Sequence, residues 1–277
     1  LKEHQLSAFH FSSIFLWQDF FDFQFETINN SLCIFANQKG SSFLYLPPLA
    51  KQWNESTVEA CFVKMNKVNP RTARIENMEE GDISRVSGSY KVHAKASEYV
   101  YHRQDLVELK GHAYKSQRHD IHHFKKSYQS LFRPIHQDDI KACLRLYEDW
   151  ARSRAAKHQD EIYCTMLEEN RIVHELALVY QEQLGLCGFV VDIDKKIKAY
   201  SLGYMLNSKT FCVLLEITDT TISGLAAFIY NQVCGSQAAQ EARFINSMDD
   251  FGMPFVASSK EAYHPSHKPV SYSITEK

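Results

Sequence analysis

The sequence predicts an α+β protein built as two halves in tandem. Three observations lead there. The order three-strand meander, helix, strand, helix, strand can be traced twice along the 277 residues. A content of 44% hydrophobic and 23% charged residues is that of a folded globular chain. A basic, histidine-rich stretch stands between the two apolar-rich parts, which gives an expected division into 1–97, a helical connector at 98–131, and 132–277.

In the first half, residues 9–20 (FHFSSIFLWQDF) are apolar enough to open as a helix. Runs at 21–28, 31–38 and 41–47 read as strands parted by Asn29-Asn30 and Lys39-Gly40, residue pairs suited to tight hairpin turns. Pro47-Pro48 ends the meander. Val58, Cys61, Phe62, Met65 and Val68 recur at helical spacing over 55–68. A strand at 71–77, a short helix at 78–86 and a strand at 89–94 follow.

Within the connector, Asp105 and Glu108 bracket Leu106 and Val107 in a capping-box pattern, and Gly111 offers a left-handed stop. A second helix runs from Tyr114 to about Tyr128. It buries Ile121, Phe124 and Tyr128 and displays Lys115, Arg118, His122 and Lys125. That basic face is either a solvated helix surface or an anion site.

In the second half, Asp139 is placed to cap a helix carrying Ile140, Leu144, Tyr147 and Trp150, and a longer helix continues through Leu184 to Gly185. Strands at 187–193, 196–205 and 210–217 form the second meander, with turns at Asp194-Lys195-Lys196 and Asn207-Ser208. A helix at 222–234, a strand at 243–246, a helix at 254–262 and a last strand at 270–274 close the half.

Composition also limits function. A formal net charge of −2 argues against indiscriminate binding of polyanions, so any such contact must be local, and 98–131 is the place for it. Seven cysteines occur without a CxxC pair, as expected of reduced core thiols in a cytoplasmic protein. No apolar run reaches the roughly 18 residues that span a bilayer, and Leu1-Lys2-Glu3-His4 has no signal-peptide pattern. His119 and His123 lie one helical turn apart, but no third ligand or HExxH glutamate accompanies them, so no metal is predicted. No P-loop, GxGxxG or GxSxG occurs.

Acyl transfer needs a positioned nucleophile, a group to manage its proton, donors for the oxyanion and cations for nearby phosphates. Glu216 at the end of TFCVLLE and Asp250 in Asp249-Asp250-Phe-Gly252 are the carboxylate candidates, and Lys260, Arg118 and Lys110 the cations. Each has a plainer reading: a salt-bridged strand end for Glu216, a turn for Asp250, a buried anchored tyrosine and a chain reversal for Tyr263-His264-Pro265. An acyl-CoA site would need [RQ]-x-x-G-x-[GA] at a helix start. Thr221–Ala226 keeps the glycine and alanine but begins with threonine, and Arg85–Tyr90 lacks the final small residue.

Two groups of residues carry a family resemblance. Tyr99-Val-Tyr101, Asp105-Leu106, Leu109-Lys110-Gly111, Tyr114, Arg118 and Phe124 form the first. Asn246, Asp250, Gly252, Lys260, Tyr263, His264 and Pro265 form the second. Together they resemble the DUF2156 family, the C-terminal domain of phosphatidylglycerol lysyltransferase. The resemblance implies two tandem GNAT-like halves, mixed sheets flanked by helices, in agreement with the duplicated element order. It further implies an aminoacyltransferase that takes its group from aminoacyl-tRNA, rather than from acetyl-CoA, and gives it to a hydroxyl or amine acceptor such as a phospholipid. Glu216, Asp250 and Lys260 would be catalytic, and Lys110, Arg118, Asn246, Tyr263 and His264 would bind substrate or phosphate. The membrane-embedded half of the full-length enzymes would lie outside this sequence, leaving a cytoplasmic domain able to work at a membrane surface. Gln117, Ile217, Ser247 and Met248 depart from charged family positions. A non-catalytic binder of an anionic lipid, RNA or metabolite, and an acyl-CoA-dependent N-acyltransferase, therefore stand beside the aminoacyltransferase reading.

Overall fold

The computed structural model describes residues 3–86, 88–157 and 161–277. Leu1 and Lys2 of the chain start, and Ser87 of the Arg85–Tyr90 stretch, lie outside the described residues. The chain forms two compact units, the first made of 1–99, 248–260 and 267–277, the second of 100–247 and 261–266.

The first unit is a six-stranded mixed sheet with α1 (Phe11–Phe15), α2 (Glu55–Val68) and α3 (Glu80–Ile83). Its strands are β1 (Asp22–Ile28), β2 (Ser31–Gln38), β3 (Ser41–Leu44), β4 (Ile75–Met78), β5 (Tyr90–Ser97) and, from the far end of the chain, β12 (Val270–Glu276). The spatial order is β1-β2-β3-β4-β12-β5. Asn29 and Asn30 both adopt positive φ, which lets the β1–β2 hairpin turn in two residues. Asn54 caps α2 by accepting from the Thr57 amide at 3.3 Å. From α2, Val58, Cys61, Phe62 and Met65 are buried against Phe35, Phe43, Leu44 and Trp53. Val68, also at the apolar spacing, is instead exposed at the helix end. The opening helix is shorter than the apolar run at 9–20 suggests: α1 has five residues and gives way to turns.

The second unit holds a sheet in the order β6-β11-β10-β9-β8-β7. Its strands are β6 (Val100–His102), β7 (Ser130–Pro134), β8 (Cys187–Ile193), β9 (Lys196–Asn207), β10 (Thr210–Thr218) and β11 (Phe244–Asn246). Its helices are α4 (Arg103–Glu108), α5 (Lys115–Ser127), α6 (Ile140–Lys157), α7 (Glu161–Val179) and α8 (Leu225–Gly235), with α9 (Pro254–Glu261) following β11 in the chain. β10 and β11 run parallel, and the other neighbours are antiparallel.

Three expectations change. First, β12 does not close the second half. It pairs with β5 along its whole length, from Val270 opposite Ser97 to Glu276 opposite Tyr90, and buries Ile274 in the first unit's core. Second, 98–131 is not a separate connector: β6 and β7 are the two outermost strands of the second sheet. Between them, α4 and α5 bury Leu106, Leu109, Ile121 and Phe124. Phe124 packs 4.7 Å from the Phe228 ring of α8, and the Asn231 Nδ2 donates to the Leu106 and Val107 carbonyls at 2.8 and 3.0 Å. Third, Asp105 falls inside the first turn of α4, which ends in a left-handed Leu109 before Gly111 is reached. Asp139 does not cap α6 either; its carboxylate is taken by Arg133 and by the His136 amide.

Gly224 at the start of α8 has φ +79°, and a Cβ there would lie 2.1 Å from the Asp120 carbonyl of α5. Gly224→Ala therefore has to push two helices apart and strain the backbone, and should lower stability by more than about 2 kcal/mol in urea unfolding. Gly235→Ala, where an added Cβ meets nothing within 4 Å, should be neutral or stabilising by up to about 1 kcal/mol.

Candidate functional site

β10 positions Glu216 opposite Ser201 of β9 in the second unit. Its Oε2 is shut off from solvent and has no hydrogen-bond partner among the described residues. The residue as a whole keeps partial exposure, which belongs to its other atoms. Burial of the carboxyl raises its pKa from the ordinary 4.5 to about 8.

Tyr263 and Cys234 are close enough to feel that carboxyl. Burial first, and the Glu216 charge second, keep the Tyr263 phenol protonated. The same two causes, in the same order, push up the Cys234 thiol. The Tyr263 ring stands edge-on to Tyr230, 5.0 Å between centroids, and 6.5 Å from Tyr101. Tyr230 and Ser247 share a hydrogen bond of 2.7 Å between their hydroxyls.

The segment that carries Tyr263 is held mainly through its backbone. The Tyr114 hydroxyl donates to the Tyr263 carbonyl at 3.2 Å, and Gln117 Nε2 donates to the Ala262 carbonyl at 2.7 Å. The Ser266 amide and hydroxyl both donate to the Val100 carbonyl, at 2.8 and 3.0 Å. His264 turns the chain at φ +55°, its Nε2 lying 3.3 Å from the Ala113 carbonyl. Tyr114 and Gln117 reach this segment because they sit three residues apart at the start of α5, on one face.

Gln117 is buried, and its Oε1 also lacks a partner. Three enclosed oxygens in one unit, Glu216 Oε2, Gln117 Oε1 and the Ser201 hydroxyl, thus have no partner among the described residues. An enclosed acceptor left unpaired costs about 1–3 kcal/mol, so each is a place where a ligand N–H or ammonium would be favoured.

The other predicted residues fall in different surroundings. Arg118 Nη1 donates to the carbonyls of Leu109 and of Gly111, the latter at 2.7 Å, and so clamps the turn between α4 and α5. Its Nε and Nη2 have no acceptor among the described residues. Lys110 is 79% exposed by side chain and pairs with Glu108 at 2.8 Å. Asn246 is wholly buried on β11, between Cys212 of β10 and Val100 of β6.

Asp250 and Lys260 belong to the first unit. The Tyr99 hydroxyl donates to Asp250 Oδ2 at 2.6 Å and the Gly252 amide to Oδ1 at 2.9 Å. The Tyr99 hydrogen bond is the main reason the Asp250 pKa is lowered, with Lys260 and Lys268 adding to it. Lys260 Nζ donates to the carbonyls of Met248 and Asp249 and stands 5.7 Å from the centre of the Tyr99 ring. Among these groups the structure brings Glu216 to Tyr263, and Asp250 to Lys260.

Sequence reasoning missed Gln117, Ser247, Tyr230 and Cys234 as members of the buried site. Gln117 and Ser247 look like lost charges in the sequence, yet both make hydrogen bonds suited to enclosure. Tyr230 and Cys234 are spaced by four on α8, which places them on one face and is the signal that pointed there.

Two mixed sheets, each flanked by helices and each with a single parallel pair, define a tandem GNAT-like fold. The chain belongs to the family described as phosphatidylglycerol lysyltransferase, C-terminal, whose model matches residues 1–274. Among solved structures it is similar to a conserved protein of unknown function from Bacteroides thetaiotaomicron VPI-5482, at TM-score 0.85 and 23% identity, over 97% of this chain and 90% of that one. It is also similar to the C-terminal DUF2156 domain of a lysylphosphatidylglycerol synthetase from Agrobacterium fabrum, at TM-score 0.65 and 12% identity, over 99% and 89% of the two chains. The L-PGS of Bacillus licheniformis matches at TM-score 0.61 and 13% identity, over 92% and 84%. No curated protein matches the sequence. Family and fold together support an acyltransferase of the lysylphosphatidylglycerol-synthase-like or GNAT-like kind. Among the described residues no helix is long and apolar enough to cross a membrane, and no group of three or more His, Cys, Asp or Glu side chains could hold a metal ion.

The raised pKa of Glu216 has a consequence for stability. The folded protein keeps a proton that the unfolded chain releases near pH 4.5, so this contribution is full below that pH and is lost as pH rises through about 8. Glu216→Gln should flatten the decline in urea-unfolding free energy across that window, which a single group can make as steep as about 1.4 kcal/mol per pH unit. Equal declines in both proteins would mean the carboxyl is not held neutral.

Proposed function

We propose that the protein transfers an aminoacyl group from aminoacyl-tRNA to a hydroxyl or amine acceptor such as a phospholipid, and that Glu216 anchors the amino group of the donor. The observation that carries this reading is the Glu216 Oε2, enclosed and without a donor among the described residues. An α-ammonium supplies both the missing N–H and the positive charge that makes an ionised carboxylate favourable in an enclosed place. Gln117 Oε1 offers a second acceptor of the same kind.

The chemistry asks little more of the protein. The acceptor oxygen or nitrogen attacks the carbonyl carbon of the aminoacyl ester, and a tetrahedral intermediate forms. The bond to the 3′ oxygen of the tRNA then breaks, and the proton of the nucleophile ends on that departing oxygen. The Tyr263 phenol, kept protonated by its surroundings, is the donor assigned to the developing oxyanion. His264 and Asn246 fix the strand and turn that flank it. Arg118, through Nε and Nη2, is assigned to a donor phosphate, with Lys110 beside it on the same turn. Asp250 and Lys260 stay candidates on the strength of their chemistry.

An acyl-CoA donor has less support. The first turn of α8, where a pyrophosphate would look for backbone amides, is packed against the Asp120 carbonyl of α5.

Purified protein should move labelled amino acid from aminoacyl-tRNA to vesicles containing phosphatidylglycerol. Glu216→Ala should cut transfer roughly 100-fold, the scale expected for losing one polar contact in a reacting site, and Arg118→Ala should raise the tRNA concentration needed for half-maximal rate. Asp250→Ala and Lys260→Ala measure whether those two take part. Transfer from acetyl-CoA but not from tRNA, or full activity in Glu216→Ala, would overturn the reading.

A further inference from the structure

The second unit also contains a cavity of about 620 Å³ that neither Glu216, Gln117 nor Tyr263 lines. It opens between α6, the β8–β9 turn and the end of β10. That volume is within the range of small-molecule sites, roughly 300–1,000 Å³.

Its charges are arranged in two groups. Deep in the cavity Arg133 is held by Asp139 at 2.6 and 2.9 Å and by Asp192 at 2.7 Å. Lys198 is held by Asp219 at 2.8 Å, and Asp219 in turn accepts from the amide and hydroxyl of Thr221. These fixed groups comprise three carboxylates and two cations, an excess of negative charge with oxygen lone pairs to spare. At the rim stand Arg145 from α6 and Lys195 and Lys196 from the β8–β9 turn, with Asp149 of α6, whose carboxylate is paired with Arg152 at 3.4 Å. The three cations are exposed and have no ion-pair partner among the described residues. Asp194 and Lys195 adopt positive φ of 50° and 61°, the tight turn that brings both lysines to the cavity mouth.

Apolar side chains line part of the wall. Trp150 and Leu146 from α6 face the cavity with Ile197 of β9. Arg154 lies 5.6 Å from the centre of the Trp150 ring. A ligand that satisfies all three regions has an anionic group for the rim, a flat body for Trp150, and N–H or O–H donors for the acidic floor. An apolar ligand would leave the cations unanswered, and a free phosphate would leave most of the volume empty.

We propose that this cavity binds a nucleoside monophosphate, with its phosphate at Arg145, Lys195 and Lys196, its base against Trp150, and its amino or hydroxyl groups toward Asp192 and Asp219. The site is independent of which donor Glu216 receives.

Titration calorimetry on the full chain tests it with three probes: adenosine monophosphate, adenosine and inorganic phosphate. The monophosphate should bind saturably, with adenosine and phosphate each at least about tenfold weaker. The double variant Lys195→Glu, Lys196→Glu changes only exposed, unpaired side chains, so it should keep the thermal midpoint while weakening the monophosphate at least about tenfold. Trp150→Leu should weaken the monophosphate and adenosine together and leave phosphate unchanged. No saturable heat with the monophosphate at millimolar concentration, or affinity untouched in both variants, would overturn the proposal; so would adenosine binding as tightly as its phosphate.

Discussion

The carboxyl of Glu216 is enclosed on a central strand, and among the described residues no donor answers its Oε2. A folding chain has every reason to avoid that arrangement, because an unmatched acceptor costs more than an ordinary hydrogen bond returns. The surrounding groups are arranged so that the arrangement persists. Tyr101, Tyr230 and Tyr263 surround each other with aromatic rings. Tyr114 and Gln117 tie down the backbone on which Tyr263 sits. With its pKa raised to about 8, the acid is mostly neutral at pH 7 until something cationic enters, and that is what makes it able to respond.

The path of the chain explains how six residues come to matter so much. After β11 the chain joins the first unit for 248–260, returns to the second for 261–266, and then supplies β12 to the first sheet. The short return is pinned at both ends, by Gln117 on Ala262 and by Val100, whose carbonyl accepts twice from Ser266. A strand placed between β4 and β5 from roughly 170 to 200 residues away in sequence is a long-range pairing, so the first sheet cannot be completed until the end of the chain is present.

Much of the local structure was legible because local rules decide it. Asn29-Asn30 and Lys39-Gly40 announce their turns, and the helix at 55–68 follows from its apolar spacing. The stretch at 98–131 was harder, since three residues of β6 and five of β7 carry no pattern of their own and are strands only because β11 and β8 lie beside them. The placement of β12 was invisible for the same reason: a seven-residue alternating strand fits either sheet until its partners are known. Of the site, Glu216, Tyr263 and Arg118 could be named from residue type and family resemblance. Whether Arg118 braces a turn, or Gln117 is buried rather than merely uncharged, depends on contacts nine and 145 residues apart in the chain. The cavity beside α6 gathers side chains from five separate segments, none of which forms a motif.

The proposed chemistry depends on the state of one carboxyl. With selectively ¹³C-labelled glutamate, the Glu216 Cδ signal, assigned by its absence in Glu216→Gln, can be followed by NMR through pH 4–10 with and without lysinamide as a stand-in for the donor's amino group. An ammonium site at Glu216 requires a midpoint near 8 in the free protein and a shift of at least about one pH unit downward when the ammonium binds. A midpoint near 4.5 in the free protein, or one that lysinamide leaves in place at saturation, would contradict it.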